Sequence, residues 1–144
     1  MRLIILTGIL FLTSFNCSGQ KNPEQIIEEF FKNYETKTPE EALEELYRHM
    51  PAADRVDDDI ASLEIKFKGL KKVVGNYIDY DLITKKDLLN RYIIYTYLVR
   101  FEHQPIRFTF EFYKPKENWG LFGFSYDDDF DEELEETTKI YFIE

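Results

Sequence analysis

The chain has 144 residues, of which 18 are basic and 28 are acidic, so its net charge is −10. A chain this acidic is a poor match for nucleic acid, whose phosphates must be neutralised by Lys and Arg. Aromatic residues make up 17% of the sequence, which excludes a disordered chain and favours one domain built on a packed sheet.

The first twenty residues have the pattern of an export signal. Arg2 precedes an apolar run, Leu3–Phe15, which is too short for a transmembrane helix but matches the hydrophobic part of a signal peptide. The run stops just before Cys17, the only cysteine, and a polar stretch follows. A single cysteine cannot form a disulfide within the chain.

This arrangement resembles the signal of bacterial lipoproteins. The resemblance implies a signal peptide at residues 1–16, cleavage before Cys17, lipidation of Cys17 and a tether over residues 17–21. It also implies an exported protein anchored in the bacterial cell envelope, on the periplasmic or outer-membrane side. Ser14 and Asn16 depart from the usual lipoprotein pattern, so an incidental cysteine in an ordinary signal peptide is the alternative.

Helices are predicted in the segment after the tether. Asn22-Pro23 and Thr38-Pro39 each combine a capping residue with Pro at the first helical position. A third helix is predicted over residues 58–73, ended by Gly75. Helical spacing predicts the buried faces of the first two helices, namely Ile26, Ile27, Phe30, Phe31 and Tyr34 in the first and Leu43, Leu46, Tyr47 and Met50 in the second.

Strands are predicted in the second half of the chain. Residues 76–84 alternate as a first strand, residues 85–90 form a turn, and three more strands lie between Arg91 and Tyr126. The loop Glu102–Pro105 has a common hairpin length. It predicts the cross-strand pairs Phe101–Ile106, Val99–Phe108, Tyr97–Phe110 and Tyr95–Phe112.

These pairs sort the side chains onto two faces, because side chains alternate along a strand. We expect the face toward the helices to be apolar, with Phe122 on it, and curvature of the sheet would leave a pocket there. The candidate pocket residues are Tyr95, Tyr97, Phe110, Phe112, Phe124 and Tyr126, with ordinary core packing as the alternative. The other face is mixed, and its apolar members form a candidate interface of Ile94, Leu98, Trp119 and Leu121.

Residues that could carry chemistry are few. His49 is interpreted as a helix-end charge and His103 as a turn residue. Asp79 and Asp81 are interpreted as the wet side of an edge strand, with an acid/base pair as the alternative. The acidic run Asp127–Glu136 lacks the spacing of a calcium loop and is interpreted as a solvated segment. The sequence predicts no cofactor and no metal. Residues 139–143 are predicted to form a last strand or to cover the sheet edge.

The order of elements resembles the NTF2-like (cystatin-like α+β) superfamily, with helices followed by a sheet that ends in Trp119-Gly120-Leu121, Phe124, Tyr126 and Asp127. The resemblance implies one α+β domain over residues 22–144. In that domain, two or three N-terminal helices pack on one face of a curved antiparallel sheet of about four strands. Ketosteroid-isomerase-like members pair an Asp base with Tyr, but no such base can be placed at the inward positions of this chain.

Three functional hypotheses follow. The favoured one is a lipid-anchored, non-enzymatic envelope domain that binds an apolar small molecule, a peptide or a protein partner. An ionised carboxylate held by Tyr95 or Tyr97 inside the pocket would count against it. The second is a small pocket enzyme of isomerase or hydrolase type, which needs an Asp or His with a perturbed pKa in the pocket. The third is a homodimer through the mixed face, which is compatible with the first.

Overall fold

The computed structural model of the chain describes residues 21–51, 57–131 and 134–135. Cys17, the predicted signal peptide and the predicted last strand at 139–143 lie outside the described residues. Three helices precede a four-stranded antiparallel sheet of order β1-β2-β3-β4, which confirms the predicted α+β class. The elements are α1 (Pro23–Thr36), α2 (Pro39–Tyr47), α3 (Asp57–Val74), β1 (Tyr77–Leu88), β2 (Tyr92–Phe101), β3 (Ile106–Tyr113) and β4 (Gly120–Asp127).

Both predicted helix starts are capping boxes. The Asn22 side chain accepts from the Gln25 N–H at 2.9 Å, and the Gln25 side chain accepts from the Asn22 N–H at 3.0 Å. Thr38 and Glu41 make the same reciprocal pair at the start of α2. Each cap satisfies N–H groups that the helix itself cannot bond and stabilises it by about 1 kcal/mol.

Gly75 ends α3, as the sequence predicts, and its φ of +85° is one that glycine adopts at little cost. The chain beside it is fastened to the β2–β3 loop. The Asn76 N–H donates to the Glu102 carboxylate at 2.9 Å, and the His103 N–H donates to the Val74 carbonyl at 2.9 Å. The predicted turn at 85–90 is shorter, because β1 continues to Leu88.

The register between β2 and β3 differs from the predicted one by two residues. Val99 lies opposite Ile106, so the observed pairs are Tyr97–Phe108, Tyr95–Phe110 and Ile93–Phe112. The predicted pair of Phe101 with Ile106 does not form, because residues 101–103 are bonded to the junction between α3 and β1. A shift of two leaves every side chain on its predicted face.

An irregularity between β3 and β4 changes the faces of two residues. Phe112 lies opposite Leu121, while Glu111 lies opposite Gly123, so Phe122 is an extra residue. Such a β-bulge interrupts the alternation of side chains. Leu121 is 1% exposed and faces the core, whereas Phe122 is 60% exposed, so the predicted faces of both residues are wrong.

Aromatic side chains of α1 pack directly on the sheet. The ring of Phe30 lies 5.3 Å from that of Phe110 and 5.5 Å from that of Phe124. Phe31 stacks on Tyr80 with centroids 3.6 Å apart and meets Tyr97 edge-on at 5.3 Å. Each ring pair adds about 0.5–1.5 kcal/mol beyond area burial. None of the helices in the described segments has the length and apolar character that crossing a bilayer requires.

Candidate functional sites

The candidate pocket residues all lie on the helix-covered face of the sheet. Tyr95, Tyr97, Phe110, Phe112 and Phe124 are buried there, and Tyr126 is half-buried against the same core. Phe30 and Phe31 of α1 pack among them. Tyr126 contacts Phe67 of α3, so the six residues lie together on a face that is packed against the helices.

The hydroxyl of Tyr95 lies in a cluster of charged side chains at one edge of this core. It donates to the carboxylate of Glu24 in the first turn of α1, and Lys85 of β1 lies 2.7 Å from the same carboxylate. The Lys85 ammonium also lies 5.2 Å from the centre of the Tyr95 ring. Burial and the hydrogen bond to Glu24 raise the pKa of Tyr95 to about 12, so its hydroxyl keeps its proton.

Glu24 bears on the choice between binding and catalysis. Desolvation acts to raise its pKa, but hydrogen bonds from Lys85 and Tyr95 outweigh it and hold the pKa below the usual value. The contact with Tyr95 is one that we expected to count against a binding role. However, the Glu24 side chain is 46% exposed and lies at the edge of the core, not inside a pocket. An ionised, ion-paired carboxylate is a weak general base.

The candidate interface residues are divided between the two faces. Ile94 and Leu98 lie half-buried on the sheet face that no described helix covers, as predicted. Leu121 lies in the core opposite Phe112, and Trp119 packs against the core as well. The bulge at Phe122 accounts for Leu121, since it reverses the face that simple alternation assigns.

An aromatic cluster on this same face was missed by the sequence reasoning. Tyr92 and Tyr113 lie opposite each other, and the ring of Phe122 lies 5.8 Å from Tyr92 and 6.3 Å from Tyr113. The Tyr92 hydroxyl donates to Glu111, and burial and this bond raise the pKa of Tyr92 to about 12. Together with Ile94 and Leu98, we call this surface the open face. Gly123 after Phe122 was the signal for a bulge.

A cleft of about 240 Å³ lies at the opposite end of the sheet from the Tyr92 cluster. It is bounded by the end of α1, the end of α3 and the start of β1. Tyr34, Tyr77 and Phe101 supply its aromatic walls, while Lys37 and Lys71 supply positive charge. None of the candidate pocket residues lines it.

The remaining candidate residues take the structural roles that the sequence favoured. Asp79 forms a two-pronged ion pair with Arg100, and Asp81 lies 3.4 Å from the same guanidinium, on an exposed edge strand. His49 lies 3.7 Å from Glu29 at the end of α2, and His103 lies in the β2–β3 loop. Within the described segments, no group of three or more His, Cys, Asp or Glu side chains is placed to hold a metal.

Comparison with known proteins gives no relative, since no protein-family model, no curated protein and no solved structure matches the chain.

Proposed function

We propose that the chain is a lipid-anchored domain of the bacterial cell envelope that binds a protein partner through its open face, without performing chemistry. We further propose that its α+β fold is of the NTF2-like type. The observation that carries this proposal is the aromatic cluster in which Tyr113 and Phe122 are exposed and Tyr92 is half-buried.

The chemistry of the open face suits a protein partner. Phe122 and Tyr113 are exposed there, and Ile94 and Leu98 are half-buried farther along the same face. Tyr and Phe are enriched in the cores of protein interfaces, because they bury a large area with few rotatable bonds. The charged pairs Arg107–Asp127, at 2.9 Å, and Arg100–Asp79 lie farther along the strands, toward the other end of the sheet.

The anchor is supported by the sequence pattern around Cys17 and by the position of α1. The first helix begins at Pro23, six residues after Cys17, so the folded domain starts directly after a short polar stretch. Cleavage before Cys17 would remove one basic residue, Arg2, and leave a mature charge of −11. Lipid chains on Cys17 would then hold the domain by burying methylenes, about 0.8 kcal/mol each.

Site-specific photocrosslinking in cells tests the open face. A photoreactive phenylalanine analogue at Phe122 should give a covalent adduct with one defined protein. The same analogue at Lys32, which is exposed on α1, is the control and should give none. Equal labelling from both positions, or an adduct from neither, would contradict the proposal. Incorporation of a labelled fatty acid, abolished by Cys17→Ala, tests the anchor separately.

A homodimer is the second candidate, and the same cluster favours it, because the open face can pack against a second copy. In that case the Phe122 adduct has twice the mass of the chain, and Phe122→Arg converts dimers into monomers in sedimentation velocity. The predicted test variant Leu121→Arg is unsuitable, since Leu121 is buried in the core.

A small pocket enzyme is the remaining alternative, and the contact between Glu24 and Tyr95 is what favours it. Native mass spectrometry of residues 18–144, purified without delipidation, separates it from the binding role. A small molecule that is lost on denaturation would identify a pocket ligand, and a clean protein mass would leave the open face as the functional surface.

A further inference from the structure

One end of the domain gathers the start of α1, the end of α2 and two sheet connections. Lys85 of β1 contacts Glu24 of α1, and the Leu121 N–H donates to the His49 carbonyl at 2.8 Å. The Arg91 guanidinium donates to the Lys116 carbonyl at 2.7 Å, which joins the two connections. We call this the anchor end, and define it by the β1–β2 tip (Lys85–Arg91) and the β3–β4 loop (Lys114–Trp119).

The two sheet connections of the anchor end are basic in an acidic protein. The β1–β2 tip and the β3–β4 loop contain five basic and two acidic residues, a balance of +3 in a chain whose total is −10. With Lys85 paired to Glu24, the balance is still positive. The basic residues are Lys85, Lys86, Arg91, Lys114 and Lys116.

The opposite end of the sheet carries a run of aspartates after β4. Strand β4 begins at Gly120, beside the β3–β4 loop, and ends at Asp127. Its eight residues place these two ends about 25 Å apart. Asp128, Asp129 and Asp131 follow, so an acidic segment lies at the end of the sheet away from the β1–β2 tip and the β3–β4 loop.

Exposed apolar side chains accompany the basic ones. Leu88 is 63% exposed and Leu89 is 86% exposed at the tip of the β1–β2 hairpin. Leu89 has a φ of +56°, in a region that Gly and Asn occupy at lower cost, so the turn retains a large apolar residue against its backbone preference. An outlier of this kind points to a function for the side chain. Trp119, the only tryptophan, lies in the neighbouring loop under Lys114.

We propose that the anchor end docks on an anionic lipid surface, with Leu88 and Leu89 entering the interface and the surrounding Lys and Arg meeting lipid phosphates. This inference rests on the proposed lipid anchor at Cys17. The chain from Cys17 to Pro23 spans at most about 20 Å, so an anchored domain keeps the start of α1 close to the membrane. The neighbouring hairpin extends about 10 Å beyond Lys85, since β1 continues for three residues to Leu88.

Basic residues around apolar and Trp side chains are the composition of interfacial membrane contacts. The acidic far end strengthens the orientation, because an anionic surface repels it while attracting the β1–β2 tip and the β3–β4 loop. The net charge alone predicts repulsion from such a surface. Docking on anionic lipid therefore depends on the local positive charge of the β1–β2 tip and the β3–β4 loop, and not on the net charge of the chain.

The test uses residues 17–144 coupled through the single thiol of Cys17 to a maleimide lipid in vesicles. This chain contains every described element and the whole described core, which runs from Ile26 to Phe124. Quenching of Trp119 fluorescence by brominated acyl chains reports docking. Vesicles of phosphatidylcholine with about one third phosphatidylglycerol are compared with pure phosphatidylcholine, and we expect quenching only on the anionic vesicles, with loss at high salt.

Two variants with the same net charge decide the matter. Lys86→Glu with Lys116→Glu should lower the ratio of docked to undocked protein by about 25-fold or more, since each basic residue at an anionic surface contributes about fivefold. Lys37→Glu with Lys71→Glu, at the opposite end, should leave the ratio unchanged within about twofold. Equal loss in both variants, equal quenching on both vesicles, or no quenching overturns the proposal. Fatty-acid labelling of Cys17 in cells reports on the anchor independently of these outcomes.

Discussion

The Lys85 ammonium lies 2.7 Å from the carboxylate of Glu24, a residue 61 positions earlier in the chain. Tyr95 donates to the same carboxylate from the neighbouring strand. The start of α1 is thereby tied to the edge strand and to the core. Since α1 follows directly on the proposed tether, this cluster joins the anchor to the folded domain.

The Glu24 cluster should make stability depend on pH. The pKa of Glu24 is lowered from 4.5 in the folded chain, so its contribution is complete above about pH 4.5 and is lost as the pH falls through the folded value. The pair is nearly half exposed, so Glu24→Gln should cost only about 0.5 kcal/mol at pH 7. Urea unfolding at pH 7, 5 and 3 should show the gap to the wild type closing toward pH 3.

Glu28 provides the matched control, because it is an exposed carboxylate on the same helix. Glu28→Gln should give a smaller difference from the wild type at pH 7 than Glu24→Gln does. A gap for Glu24→Gln that stays constant down to pH 3 would show that the lost carboxylate charge is not the cause.

Two glycines of the same helix region should respond in opposite directions to alanine. Gly75 has a φ of +85°, and a Cβ there would lie 2.9 Å from the Glu102 Cβ, so Gly75→Ala should destabilise the domain by about 1–3 kcal/mol. Gly69 is inside α3 with nothing within 4 Å of an added Cβ, so Gly69→Ala should stabilise by about 0.5–1 kcal/mol. Thermal unfolding of both variants measures this, and a shift of the same sign in both would contradict the assignment.

Local signals predict the helices well. Asn22 and Thr38 occur with their capping partners three residues later, and Gly75 follows the last turn of α3, so both starts and the final stop are encoded by neighbouring residues. The side-chain faces of β2 and β3 also follow from neighbouring residues, because side chains alternate along a strand. These signals depend on short stretches of chain and need no knowledge of distant contacts.

Register and bulges depend on distant contacts, and there the sequence-based prediction was wrong. The Asn76 N–H donates to the Glu102 carboxylate, 26 positions away, and the β2–β3 pairing beside this contact differs by two residues from the predicted one. The extra residue Phe122 reverses the faces of Leu121 and Phe122. Glu24 was missed because its partners, Lys85 and Tyr95, are far from it in sequence.

The bulge can be tested with two neighbouring residues. Leu121 fills the core, so Leu121→Ala should cost about 2–5 kcal/mol through lost burial and the cavity left behind. Phe122 is on the open face, so Phe122→Ala should change stability by about 1 kcal/mol at most. Urea unfolding of both variants distinguishes the observed arrangement from simple alternation, which would reverse the order of the two effects.

Leu89→Asn should separate stability from membrane docking. Asparagine adopts a positive φ more easily than leucine, so the variant should gain about 1 kcal/mol of stability at this turn. It also removes the most exposed apolar side chain of the anchor end, so Trp119 quenching on anionic vesicles should fall. The matched control is Ile65→Asn, which removes an exposed apolar side chain from α3 and should leave quenching unchanged. A Leu89→Asn protein that is more stable and docks as well as the wild type would show that the turn leucine has no part in membrane contact.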